Sequence, residues 1–202
     1  LFIKKYFEAY GYYLLFPDIE GKEYGSMIMS KIPLSGGAFP NMDFIPSRVM
    51  YGKFSFFNKD MEIVGIYVPS RDASESKLKR KKLFLRSLLG ALQKSNASNQ
   101  RIVCGDFNVL EPSHNPYYSF FQDWEYDFYR QLSKHQLSDA WRFLHQSKQE
   151  YSWMGRTGDG YRYDHCFISN SLLSATKNSF YLHEPRLKKL SDHSALVIEL
   201  HV

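Results

Sequence analysis

Apolar and polar positions alternate along the chain with two different periods. Over residues 1–10 the apolar positions fall at helical spacing, and Gly11 stops the run, so a helix is predicted there. Residues 12–16 and 26–30 read as short strands, with a turn over 21–25. Residues 32–46 are rich in Pro and Gly and read as a surface loop. Residues 48–57 alternate, Asn58-Lys59-Asp60 turns the chain, and 61–68 run apolar, which together predict a hairpin. Residues 75–94 have helical periodicity, with Leu78, Leu85, Leu88, Leu89 and Leu92 on one face. A short buried strand, 101–104, stops at Gly105-Asp106. Residues 116–132 and 137–144 read as helices. Strands are predicted over 151–153, 162–168, 176–182 and 194–202. No repeat, linker or low-complexity tract interrupts the pattern. It predicts one α+β domain over residues 1–202, with sheets packed face to face and helices outside.

Composition narrows this picture. The 202 residues are 44% hydrophobic and 17% aromatic, enough to bury a core and to exclude a disordered chain. The net charge of +5 favours a polyanionic partner without identifying one. Cys104 and Cys166 lie in separate apolar runs and read as core thiols, with no zinc or disulfide pattern. No apolar run approaches membrane-spanning length and no signal peptide is visible, so a reduced, cytoplasmic setting without a membrane span is expected. Asn96-Ala97-Ser98 matches a glycosylation sequon by chance. The first helix has no cap before it, so further upstream sequence is expected.

Three polar clusters interrupt apolar strand ends. In Gly105-Asp106-Phe107-Asn108, a carboxylate and an amide point the same way off a strand. They can orient and deprotonate a water or hold a metal, or they can simply form an Asx turn. In Tyr161-Arg162-Tyr163-Asp164-His165, Asp164 enters an apolar strand and needs a partner, either a His or an ion pair such as Arg162. In Ser191-Asp192-His193-Ser194, a His held by a carboxylate can protonate or stabilise a phosphate oxygen, whereas the bland alternative is an exposed loop pair. The basic run Lys77-Leu78-Lys79-Arg80-Lys81-Lys82 reads as the solvated face of its helix.

Taken together, Gly105-Asp106-Phe107-Asn108, Arg162-Tyr163-Asp164 and Ser191-Asp192-His193 resemble the endonuclease/exonuclease/phosphatase superfamily, and within it exonuclease III and the abasic-site endonucleases. Tyr67-Val68-Pro69 matches a fourth motif, and Tyr24-Gly25-Ser26 and 137–142 fit weaker ones. The resemblance implies an α/β four-layer sandwich, two facing mixed β-sheets flanked by helices. It implies Mg²⁺-dependent (Mn²⁺ possible) hydrolysis of a phosphodiester, with DNA as substrate and the chain acting as a monomer. By resemblance Asp106 activates water, Asn108 holds it, His193 stabilises the phosphate, Asp164 orients His193, and Tyr67 donates to the phosphate. Asp192, Asp106 and Asn108 would face the metal. Trp153, Tyr161 and Arg162 would bind substrate; ordinary packing is the alternative for the two aromatics. The family also carries an Asn and a principal metal-binding Glu before a helix like 1–10. Neither is present here, so the chain as written is expected to lack its first strands and to have little or no activity by itself. The competing expectations are a phosphatase or phosphodiesterase on phospholipid head groups or small phosphoesters, and a non-catalytic binding remnant of the fold.

Overall fold

The structure, a computed structural model, describes residues 2–19, 21–95 and 100–201. The Asn96-Ala97-Ser98 sequon lies outside the described residues. The chain divides into two compact units, Leu1–Cys104 and Gly105–Val202.

The first unit opens with α1 (Phe2–Ala9), none of whose residues is buried. Strands β1 (Tyr13–Leu15) and β2 (Ile28–Ser30) pair antiparallel, Leu14 opposite Met29. A second sheet in this unit runs in the order β3 (Ser35–Ala38), β4 (Val49–Phe56), β5 (Lys59–Tyr67) and β6 (Gln100–Asp106), with α2 (Glu75–Lys94) between β5 and β6 in sequence. Strands β3, β4 and β5 are antiparallel neighbours.

Ser26 fastens the small sheet to the larger one: its Oγ donates to Gly65 O at 2.8 Å and accepts from Met50 N at 3.2 Å. The apolar alternation of β4 and β5 buries Val49, Met50, Met61, Val64 and Ile66, and α2 contributes Phe84, Leu85, Leu88, Ala91 and Leu92 from one face.

Two expectations change here. Strand β3 lies inside the stretch predicted as loop. Its Ser35-Gly36-Gly37-Ala38 sequence carries no apolar alternation, and it pairs by backbone alone. At Gly36 (φ +153°) a Cβ would stand 2.1 Å from Tyr51 O, so the close approach needs glycine. The hairpin turn is Phe57-Asn58, both left-handed (φ 46° and 59°), because Lys59 and Asp60 are already paired with Phe56 and Ser55.

The second unit begins with the last two residues of β6. It contains α3 (Asp123–Lys134), β7 (Leu137–Asp139), α4 (Ala140–Leu144), β8 (Trp153–Met154), β9 (Gly160–Tyr161), β10 (Asp164–Ser169), β11 (Thr176–Leu182), α5 (Glu184–Leu187) and β12 (Ala195–Leu200). Three antiparallel pairs organise it: β7 with β10, β8 with β9, and β11 with β12. The rings of Phe107, Phe128 and Phe167 form its aromatic centre, with Phe107 5.3 Å from Phe167 and 6.4 Å from Phe128.

The helix predicted over 116–132 starts only at Asp123, where Gln122 and Glu125 form a reciprocal capping box. Residues 137–144 are a strand and then a helix. The switch is made by Asp139, whose carboxylate caps α4 by accepting from Arg142 N at 3.0 Å. Among the described residues no helix is long and apolar enough to cross a membrane. The mixture of sheets and helices predicted from the pattern as α+β, and as α/β by the family resemblance, is the class found.

Candidate active site

Strand β6 delivers the first polar cluster. Phe107 is buried in the aromatic centre, between Asp106, the last residue of β6, and Asn108 just beyond it. Asn108 is left-handed (φ 48°), a conformation Asn tolerates better than most residues. This folds the pair into an Asx-type turn: Asn108 N donates to Asp106 Oδ1 and Asn108 Nδ2 to Oδ2, both at 2.8 Å.

Strand β10 delivers Asp164 at its first residue, followed by buried His165, Cys166, Phe167 and Ile168. Asp164 finds the histidine partner that its position requires. Its Oδ2 lies 2.7 Å from His193 Nδ1. A carboxylate accepts, so Nδ1 carries the hydrogen that meets Asp164. Burial works against charge on His193, but the hydrogen bond and charge of Asp164, with Asp106 and Asp192 beyond, raise its pKa above the usual histidine value. The second unit therefore brings Asp106, Asn108, Asp164 and His193 into one electrostatic neighbourhood.

The hairpin of β8 and β9 lies beside this cluster, since Trp153 is bridged to His193 through the backbone. Trp153 and Tyr161 pack against each other, their ring centroids 5.3 Å apart. Tyr161 also stacks on Tyr118 at 4.5 Å and on Tyr163 at 5.2 Å. Tyr118 and Tyr163 were not singled out from the sequence. The Tyr-x-Tyr spacing of 161, the last residue of β9, and 163, on the short link to β10, carries the signal for the second of them. Burial above all, then Tyr161 and Asp106 nearby, pushes the Tyr163 phenol pKa up. The glycine-rich turn between the strands is closed by Gly155 N donating to Asp159 O at 2.7 Å. At Gly160 a Cβ would stand 2.1 Å from Tyr151 Cδ2.

Arg162 is a correction. Expected among the substrate-binding residues, its side chain is 1% exposed and held in a buried network. Its Nε donates to Glu111 Oε1 at 2.9 Å and one terminal nitrogen to Asp139 Oδ2 at 2.7 Å. Tyr129 Oη, at 2.9 Å, and His165 Nδ1, at 3.1 Å, also reach Asp139, and Arg142 pairs with Glu111. The weaker motif at 137–142 thus supplies structural ion pairs.

Tyr67 ends β5 in the first unit. Its ring lies 4.4 Å from the Arg48 guanidinium and 6.0 Å from Tyr24. Arg48 is buried and pairs with Glu23 at 2.9 Å, and Arg80 pairs with Glu23 as well. The basic run on α2 is therefore only partly a solvated face: Arg80 is paired, Lys77 pairs with Asp72 at 2.8 Å, and Lys81 is 1% exposed.

For a cation, Asp106, Asn108 and Asp192 are hard oxygen donors of the kind Mg²⁺ takes. Among the described residues, however, no group of three or more His, Cys, Asp or Glu could hold a metal. Both Asp106 oxygens are already engaged by Asn108. These residues do not make a metal cage by themselves.

The chain has the fold of exonuclease III-like nucleases and abasic-site (AP) endonucleases. It matches the 3′ phosphatase NExo from Neisseria bound to a product DNA hairpin, with a TM-score of 0.80 and 19% identity over 98% of this chain and 82% of that one. It matches an AP endonuclease from Archaeoglobus fulgidus with a TM-score of 0.78 and 24% identity over 97% and 82%. It matches the 3′-5′ exonuclease NExo from Neisseria meningitidis with a TM-score of 0.79 and 20% identity over 96% and 82%. No protein-family model and no curated protein matches the sequence.

Proposed function

We propose that this protein is a phosphodiester hydrolase of the exonuclease III/AP endonuclease type that acts on DNA by water attack at phosphorus. The observation that carries the reading is the Asp164–His193 pair, 2.7 Å apart, beside the Asp106–Asn108 turn, on a chain with the fold of such nucleases.

Asp106 takes a proton from a water positioned with the help of the Asn108 amide. The water oxygen bonds to phosphorus, the ester P–O bond breaks, and the leaving oxygen takes a proton from solvent. His193, cationic because of Asp164, donates from Nε2 to a non-bridging phosphate oxygen and stabilises the charge that develops. Tyr67 enters through its motif alone, as a further phosphate donor. Trp153 and Tyr161 offer aromatic surface to the sugar and base next to the scissile bond. Dependence on a divalent cation, Mg²⁺ or Mn²⁺, belongs to this reading. With two carboxylates and one amide to offer, these residues should bind it weakly.

The test is an assay of the full-length protein with Mg²⁺ against abasic duplex, 3′-phosphate ends, plain duplex and small phosphodiesters. Hydrolysis of the nucleic acids supports the reading. Turnover restricted to small or lipid phosphoesters replaces it with the phosphatase alternative, and duplex binding without turnover replaces it with the binding remnant.

A further inference from the structure

A polar chain in the second unit plays no part in the chemistry above. Ser194, next to His193, is 1% exposed, and its Oγ is gripped from two sides. Arg186 Nε donates to it at 2.9 Å, and His183 Nδ1 lies 2.8 Å away. His183 Nε2 lies 2.9 Å from Glu150 Oε1, and Lys148 Nζ is 2.6 Å from Glu150 Oε2. Two residues on, Ser152 holds the backbone of both catalytic motifs. Its Oγ accepts from Tyr163 N at 3.0 Å and Asp164 N at 3.1 Å, and its carbonyl accepts from Ser194 N at 2.7 Å.

Ser194, His183 and Glu150 stand in the order of a nucleophilic triad, but Ser194 cannot act as one. It is buried, and its oxygen already accepts from Arg186. That acceptance leaves the hydroxyl hydrogen to point at His183 Nδ1, and in the matching tautomer the ring donates from Nε2 to Glu150. Ser194 Oγ, both His183 ring nitrogens and Glu150 Oε1 are hydrogen-bonded along this chain, while, among the described residues, Glu150 Oε2 has the Lys148 ion pair alone.

We propose that His183 is a positioning residue. Through Ser194 Oγ it fixes the turn that carries His193, so that Nδ1 stays on Asp164. Its effect on rate rests on the hydrolase reading; its effect on the His193–Asp164 contact does not. A reacting group displaced by about 1 Å loses on the order of a hundredfold in rate, far more than one neutral hydrogen bond changes stability.

The test compares the full-length protein with His183→Ala, His183→Gln and Ser194→Ala by two readouts. One is the downfield proton resonance of the His193 Nδ1–H shared with Asp164, which needs neither metal nor substrate. The other is kcat and KM on abasic duplex. We expect His183→Ala and Ser194→Ala to lose or broaden the resonance and to lower kcat by at least about tenfold, with KM within about twofold. His183→Gln keeps an acceptor for Ser194 and a donor for Glu150, and should restore most of both. If His183→Ala does not fold, Ser194→Ala removes the same contact with loss of one atom. Wild-type resonance and kcat in either folded Ala variant overturns the proposal, as does a folded His183→Gln with no rescue. A resonance that responds to these variants in a protein without any hydrolase activity supports the brace and overturns the hydrolase reading alone.

Discussion

His193 Nδ1 and Asp164 Oδ2 lie 2.7 Å apart although 29 positions separate them in sequence. The contact consumes one ring nitrogen and favours the charged ring. Replacing Asp164 by Asn keeps the shape and removes the charge. Asp164→Asn and His193→Ala should each lower kcat on DNA by about a hundredfold or more, with melting temperatures within a few degrees of wild type. Steady-state kinetics and a thermal melt check this. Near-normal turnover in either variant refutes the assigned roles.

The Asp106–Asn108 turn separates activity from stability. Asn108 sits at φ 48°, where glycine is at ease. Asn108→Gly should leave folding stability within about 1 kcal/mol of wild type. It should still depress kcat, because the amide that orients water is gone. Urea unfolding alongside the activity assay measures both.

Arg162 tests the correction made by the structure. Truncating it to Ala leaves Glu111 and Asp139 buried without their shared counter-charge, and should destabilise the fold by roughly 3–5 kcal/mol. Arg162→Met, similar in volume and uncharged, leaves the same two carboxylates short and should be destabilising too. If Arg162 touches substrate instead, both variants will fold with near-wild-type stability and lose DNA affinity.

The same network makes stability depend on acid. Burial pushes the Glu111 carboxyl up, but hydrogen bonding to Arg142 and the charge of Arg162 outweigh it and hold its pKa at about 2 against an ordinary 4.5. A depressed folded pKa stabilises above the unfolded value and loses that contribution as pH falls towards the folded one. About 3 kcal/mol should therefore fade between roughly pH 5 and 2. Glu111→Gln should flatten that slope in urea titrations across this range. An unchanged slope contradicts the assignment.

Much of this site was legible in the sequence because its residues interrupt apolar strands. Asp164 stands at the head of a buried run and Asp106-x-Asn108 at the end of another, and an unpartnered carboxylate in such a place demands a partner. What escaped was held together by backbone or by distance. Strand β3 carries no apolar alternation, since its glycines serve close approach. Asp139 both ends a strand and caps a helix, which a helical reading of 137–144 merged. Arg162 looked available for substrate because its two carboxylate partners lie 23 and 51 positions away. His183 and Glu150 likewise reach Ser194 from loops that no local pattern connects.

Salt dependence distinguishes DNA from other phosphoesters. A net charge of +5 brought to a duplex should displace counterions, so duplex affinity should fall steeply with added salt, by about one power of salt for each phosphate contacted. A shallow response, with intact turnover of small phosphoesters, favours the phosphatase alternative.

Strand scission of an abasic-site duplex by the full-length protein with Mg²⁺, wild type beside Asp164→Asn, tests the central claim most directly. The account predicts metal-dependent nicking by wild type and a loss of about a hundredfold in the variant. A wild type that never cuts, or a variant that cuts as fast, contradicts it.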